Sequence, residues 1–457
     1  MKNHSGVRKT AVLLFLVSAA AFSPAAFSAE LTLEQVRRAA VAASPALKKL
    51  EGSKQNQALA KMAYYFKYIP SLSASASASY PLLESGPALL SAAERLNATA
   101  GFSITENISL FDGGKSKIDR ANLTLDESLL DADTQARLFA VLEEADNQYF
   151  SCLEAEAAIR TAELQVEISS LALETAEIRQ TGGILSPSDY FLALSNKSAA
   201  DSSLAAALTS LSLARHKLGQ LIGNNETADL APLDFGSYEE LLNKISLWTA
   251  EDISDRFLRL KESLTSHSPS LKSAYINLMR AENSYALARG SFYPTLDFSA
   301  SLNLKYDFTA QSSIDPFSYG ASVTLSGRIP LDYWTIANNE RRQKNSLESS
   351  RIDYEDTLAA FDIDLQSRLF TLAGNALTLI ANRRQAEYSA LLLEQQQELF
   401  RLSSTSMASF LDAASRSLSG ETQKTRAEFA FLRSLSALKS LGAFGETELF
   451  SLLGDEG

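Results

Sequence analysis

The residues best spaced for chemistry are two carboxylates, Glu394 and Glu398, which fall one helical turn apart on one face. Close carboxylates repel, and repeated around a symmetry axis they would form rings able to bind cations and tune a gate. The plainer alternative is a solvated outer face. Nothing else gathers into a reactive constellation. The histidines are His4, His216 and His267, too isolated from one another for a histidine metal site. Cys152 stands alone inside a helical pattern and reads as a small buried apolar residue. Asp112-Gly113-Gly114 begins like a calcium loop, but too few acidic ligands follow. No glycine-rich phosphate loop, zinc spacing or nucleophile elbow occurs. No catalytic residue, metal or cofactor is expected, so the role of the acids depends on the elements that carry them.

The chain opens with Lys2, Arg8 and Lys9, a short apolar run from Ala11 to Ala21, and small residues ending at Ser28-Ala29. This reads as a secretory signal over residues 1–29, too short for a lasting span. No later stretch is long and apolar enough for a transmembrane helix, so any membrane role falls to β-strands. The formal charge is −12, and losing the three positive charges of the signal takes the mature chain near −15. That excess argues against nucleic acid as a partner. It suits a soluble surface or a lumen that prefers cations.

The sequence is written twice. Ser44-Pro45-Ala46-Leu47 returns as Ser268-Pro269-Ser270-Leu271, and Pro70 returns as Pro294, both at an offset of 224. Leu110-Phe111-Asp112 aligns with Pro330-Leu331-Asp332, and Asp189 to Ala193 with Ser409 to Ala413, both at 220. Two copies of one unit are expected, each reading helix, strand, strand, long helix, helix. The division is a first repeat over 30–222, a connecting segment over 223–250, a second repeat over 251–445 and a tail over 446–457.

Each copy carries two strands with strict alternation. Leu296, Phe298, Ala300, Leu302, Leu304, Tyr306 and Phe308 face one way, with polar residues between them. Leu72 leads an alanine face opposite serines from Ser71 to Tyr80; Phe102, Ile104, Ile108 and Leu110 form another apolar face; Val323 and Leu325 belong to the fourth strand. Glu106 interrupts its face and suggests a rim, a bulge or a subunit contact. Long strands with one apolar face fit a soluble sheet on a core or tilted membrane strands, and the export signal favours the second. The lipid-facing set is then Leu72, Phe102, Ile104, Leu296, Phe298, Leu302, Leu304, Val323 and Leu325. Four strands cannot close a barrel, so several chains must share one; three would supply twelve. Residues 82–97 and 309–317 join the paired strands as outer loops.

After Gly114 a helical pattern runs to Thr181, and a second runs from Trp334 to Leu402. Some 65 residues at about 1.5 Å each make roughly 100 Å of helix. Ala121, Leu125, Leu129, Ala132, Ala136 and Phe139 mark a coiled-coil-like stripe in the first, and Tyr354, Leu358, Phe361, Leu365, Leu369 and Leu372 in the second. Return helices over Ser188–Ile222 and Ser409–Leu441 are rich in alanine, serine and leucine. Gly182-Gly183 can take positive φ and end the first long helix. Ser186 can cap the next, with Pro187 in its first turn and Asp189 near its positive end.

In this plan the chain resembles the TolC-like outer-membrane efflux proteins from about Leu31 to Gly445. The carriers are the duplicated layout, the Ser-Pro-x-Leu near each repeat start, the corner Leu110-Phe111-Asp112-Gly113-Gly114-Lys115, and the hairpin turn from Arg179 to Asp189. That turn is similar to the family's Arg-x-x-Gly-x-x-Ser-x-x-Asp pattern. The resemblance implies a mainly α fold with transmembrane β: a two-repeat α-helical barrel below a shared β-barrel, four strands per chain and twelve in a homotrimer. It implies a passive channel, not an enzyme, whose closed tip meets a periplasmic adaptor and an inner-membrane transporter. The docking tip would comprise Arg179, Gly182, Gly183, Leu185, Ser186 and Asp189. Its counterpart in the second copy would comprise Ser403, Ser409 and Asp412. The second tip lacks glycine, so the first is expected to matter more. The competing reading is a soluble periplasmic helical scaffold or adaptor.

Overall fold

The computed structural model describes residues 30–66, 69–79, 97–182, 187–224, 229–308, 315–402, 404–442 and 453. The expected signal, the tip residues Gly183, Leu185, Ser186 and Ser403, and nearly all of both expected outer loops lie outside them. Among the described residues each half of the chain builds the same series. The first half has α1 (Leu33–Ala43), α2 (Pro45–Phe66), β1 (Ser71–Ser79), β2 (Asn97–Phe111), α3 (Lys115–Thr181) and α4 (Pro187–Ile222). After a connecting α5 (Glu239–Ser246) the series returns as α6 (Ala250–His267), α7 (Pro269–Gly290), β3 (Thr295–Asp307), β4 (Phe317–Arg328), α8 (Tyr333–Arg401) and α9 (Met407–Gly442).

The repeat is visible in the caps. Thr32 and Thr249 each close a capping box, with Gln35 and Asp252 as the reciprocal partners. Ser44 and Ser268 break the chain between the first two helices of each copy at nearly the same dihedrals, φ −55°, ψ 115° and φ −59°, ψ 121°. The prolines that follow exclude the helical region for those serines. At the β2–α3 corner Gly113 and Gly114 take positive φ of 67° and 88°. Asp112 holds the turn, accepting from the Gly114 amide at 3.1 Å and the Ser116 amide at 2.8 Å, so this carboxylate is a helix cap. A Cβ on Gly290 would lie 2.7 Å from the Gly113 carbonyl oxygen, and one on Gly113 would collide with Gly290. The backbone of α7's end therefore lies directly on the corner that starts α3.

The four strands form one antiparallel sheet in the order β1-β2-β3-β4. Register places Leu72, Ile104, Leu302 and Ala321 in one row, and Ile108, Phe298 and Leu325 in another. The opposite face is a hydroxyl ladder: Ser73–Ser103 at 2.7 Å, Ser77–Thr99 at 3.0 Å and Ser301–Ser322 at 2.8 Å. β2 starts at Asn97, earlier than its apolar pattern suggests, because Ala98 and Ala100 continue the face with small residues. The register shifts between Ser109 and Phe111, three residues beyond Glu106. Glu106 itself pairs with Ala300 on the apolar face, and its Oε2 is shielded with no hydrogen-bond partner among the described residues.

The main core lies midway along the helices, where α1, α5 and α6 pack on α3, α8 and α9. Leu365, Leu369 and Leu372 are fully buried there, as the α8 stripe predicts. In α3 the seam differs from expectation. Ala132 is buried but Ala136 is exposed, and the buried set runs instead through Ala145, Asp146, Tyr149, Phe150 and Cys152. The α1 helix and α9 cover that stretch, so its burial comes from tertiary contacts that periodicity within α3 does not reveal. Burial pushes the Cys152 thiol up to about 11, with Glu156 adding to the shift, so it is inert at neutral pH.

A buried ion pair ties three elements of the core. Arg37 of α1 donates to both oxygens of Asp146, at 2.6 and 2.9 Å, and Ser436 of α9 donates to the second at 2.7 Å. Asp146 is 1 % exposed. Removing one partner strands the other charge without water, which costs about 3–5 kcal/mol. The expected outcome for Asp146→Ala is a loss of that size in denaturant unfolding, with Arg37→Met/Asp146→Leu losing less than Asp146→Ala alone.

Candidate functional site

No described helix is long and apolar enough to cross a membrane. The sheet is different. Every residue of β1 and β4 is exposed, and so are Phe102, Leu296 and Leu302; Leu72, Val323 and Leu325 are each more than 60 % exposed. Ile104, Phe298 and Leu304 stand in the same rows. Among the described residues nothing covers the apolar face, and β1 and β4 leave two open edges. Exposed aromatics mark both ends: Tyr293, Tyr333, Trp334 and Phe111 at the helical end, and Tyr306, Phe308, Phe317 and Tyr319 at the other. The sequence reading found the apolar rows but missed these two belts. Their signal is the aromatic residue at or beside one end of β2, β3 and β4.

Two helical hairpins reach the other end of the chain. Arg179, in the last turn of α3, sets its guanidinium 4.9 Å from the ring centroid of Phe400 and donates to the Phe400 carbonyl at 3.5 Å. Phe400 stacks on Phe410 of α9, centroids 4.7 Å apart and planes 6° apart. Ala172, Ala176, Ala193 and Met407 complete a small core between the hairpins. The tips of the two repeats are thus fastened to each other within one chain. Phe400 and Phe410 were not singled out in the sequence; the apolar residues flanking the serine-rich loop were their signal.

Gly182 closes α3 with φ −76°, a right-handed conformation, so the expected positive φ does not occur there. The amide of Gly182 bonds back to Ile178, which keeps it in the helix's last turn. Asp189 is half-buried in the first turn of α4. At the second tip Ser406, outside the predicted set, caps α9 by accepting from the Ser409 amide at 3.1 Å. Asp412 pairs with Arg416 at 2.9 Å. Glu394 and Glu398 are both exposed on α8, and Glu398 meets Arg401 at 3.1 Å. Among the described residues no group of acids, histidines or cysteines could hold a metal.

A pair of long helical hairpins joined to an open four-stranded sheet defines the fold. Residues 260–442 match the family model described as outer membrane efflux protein. No curated protein sequence matches the chain. Among solved structures it is similar to CusC, with a TM-score of 0.73, 15% identity and coverage of 93% of this chain and 95% of that one. It is similar to the outer membrane channel CmeC of Campylobacter jejuni, at 0.72 and 14% identity, covering 92% and 89%. The outer membrane protein VceC of Vibrio cholerae gives 0.71 and 14% identity, covering 90% and 96%. The fold of this chain is that of these channels: mainly helical, with a four-stranded antiparallel sheet per chain.

The tip core generates a prediction. Phe400→Ala removes the ring that both Arg179 and Phe410 contact. Amide exchange over residues 395–412 should speed up by an order of magnitude or more, while exchange around Leu365–Leu372 stays unchanged.

Proposed function

We propose that the protein is a subunit of a passive outer-membrane channel with a periplasmic helical tunnel, assembled as a homotrimer that shares one twelve-stranded barrel. The observation that carries this reading is the bare apolar sheet face with two open edges. Thirteen residues of β3, rising about 3.3 Å each and tilted near 40°, climb roughly 33 Å, close to the hydrocarbon thickness of a bilayer. Aromatic belts at both ends suit the two interfaces. Open edges are intolerable in lipid, so β1 of one chain must meet β4 of the next. In water the same face would be an aggregation hazard, which weighs against the soluble scaffold.

The helices support several copies as well. On α8, Ile352, Ile363, Phe370, Leu377 and Tyr388 are exposed at spacings of 11, 7, 7 and 11, all on one face. On α3, Leu164, Leu171 and Ile178 form a second uncovered stripe at spacings of seven. Neither stripe is covered by other described residues, and a neighbouring copy would offer each the other. The decisive measurement is on protein extracted from outer membranes in detergent. Cross-linking should count three chains, and planar bilayers should show conductance. Recovery as a soluble, non-conducting monomer overturns the reading.

The tips would meet a periplasmic adaptor and an inner-membrane transporter, which supplies the energy. The glycine-bearing first hairpin would dock more strongly than the serine-rich second. Substituting Gly183 or Asp189 at unchanged expression should abolish export more fully than substituting Ser403 or Ser409; equal losses discard the ranking. Glu394 and Glu398, repeated threefold, would line the mouth of the tunnel. Glu394→Gln/Glu398→Gln should then lower the cation preference read from the reversal potential in a salt gradient, and an unmoved potential would place the acids on the outer surface.

A further inference from the structure

At the foot of the sheet a cleft of about 600 Å³ opens between the start of α3, the end of α7, the first turns of α8 and the lower ends of β3 and β4. Two cations line it, Lys115 and Arg328. Neither makes an ion pair with any described residue, although this chain is strongly acidic overall. The one carboxylate in the lining, Asp112, is spent on capping α3. Glu340, beside Asn339 on α8, is turned to the hydroxyl of Tyr285, which donates to it at 2.9 Å. Asp297 lies two residues along β3 from Thr295, pairs in register with Ser326 and makes no ion pair with Arg328. The remaining lining offers neutral donors, among them Tyr293, Asn339 and Gln343. A cleft with two cations free of ion pairs, neutral donors and, in its lining, no acid beyond the capping Asp112 is complementary to an anion.

Its orientation follows from register. Thr295 pairs with Arg328, and both stand on the hydroxyl face of the sheet, away from the apolar rows. In the channel reading, on which this placement rests, that face is the lumen. We propose that Lys115 and Arg328 form an anion-binding station on the lumen wall where barrel meets tunnel, repeated three times around the pore. The class of ligand is a solute bearing carboxylate, sulfonate or phosphate groups. The fork of Arg328 matches such oxyanions, and Lys115 adds a mobile point charge. The close contact of Gly113 with Gly290 fixes the corner that presents Lys115, so the site is preorganised by backbone rather than by side-chain packing.

The test uses the full-length protein in neutral detergent and the trisulfonated dye pyranine as probe, read by fluorescence anisotropy. Lys115→Gln/Arg328→Gln should bind the dye at least about tenfold more weakly than the unaltered chain, since each lost contact is charge-assisted. Lys115→Arg should keep binding, and so should Lys305→Gln, which removes a cation at the far end of the same face of β3. Equal binding by the double variant overturns the site, as does an equal loss in Lys305→Gln. Arg328→Gln alone, at an exposed strand end, serves if the double variant melts early. In planar bilayers the dye should reduce conductance of the unaltered channel and not of the double variant. Conductance without block sinks the site and leaves the channel; dye binding through these two residues without any conductance keeps the site and sinks the channel.

Discussion

An antiparallel sheet with two unpaired edges and an uncovered apolar face is incomplete by itself. Every strand group that finds no neighbour must find water, and every row of leucine and phenylalanine must find something apolar. Among the described residues neither need is met, since the helices pack on one another and leave the sheet bare. The rest of the architecture answers that deficit. The two halves supply two strands each, α7's end is pressed onto the α3 corner to bring β2 beside β3, and the stripes on α3 and α8 carry exposed apolar surface on down the helices.

Inside one chain the packing changes character along its length. Midway, the seam between α3 and α9 mixes the ring contact of Phe150 with Phe429 and polar pairs, Asp146 with Ser436 and Glu154 with Arg433 at 2.8 Å, with the core leucines of α8 behind them. Near the tip it is aromatic and small, with Phe400, Phe410 and alanines. Polar seams of this kind are directional and set register, because a slip leaves buried charges unpaired. The tip core is thin, so it holds the hairpins together with far less burial than the middle does.

Much of this was legible in the sequence. Strict alternation revealed the strands because each has one apolar and one hydroxyl face, and Ser-Pro pairs revealed the helix breaks because proline restricts the residue before it. The α8 leucines were legible for the same reason of period. The α3 seam was not, since its burial is decided by α1 and α9 rather than by its own spacing, and Asp146 reads as a surface acid until Arg37 is seen beside it. At the tips, Arg179 stood out through its place in the hairpin turn, as a docking residue rather than as a contact between the hairpins. Its partner Phe400 lies 221 residues away, a relation no local pattern encodes. Gly182 was read as a left-handed stop because glycine permits that conformation; here the helix simply completes its last turn.

The hydroxyl of Tyr149 donates to the Leu31 carbonyl at 3.3 Å and the Ala231 carbonyl at 2.6 Å, across a parallel bridge between Leu31 and Leu230. The beginning of the described chain is therefore held by a segment some two hundred residues downstream. Closing so large a loop is entropically slow compared with forming helical hairpins. The first repeat can build its hairpin early, but its leading strand of backbone stays without a partner until the connecting segment exists. The clasp at Tyr149 can close only once the connecting segment has been made, so the first copy is locked at its start by residues outside its own length.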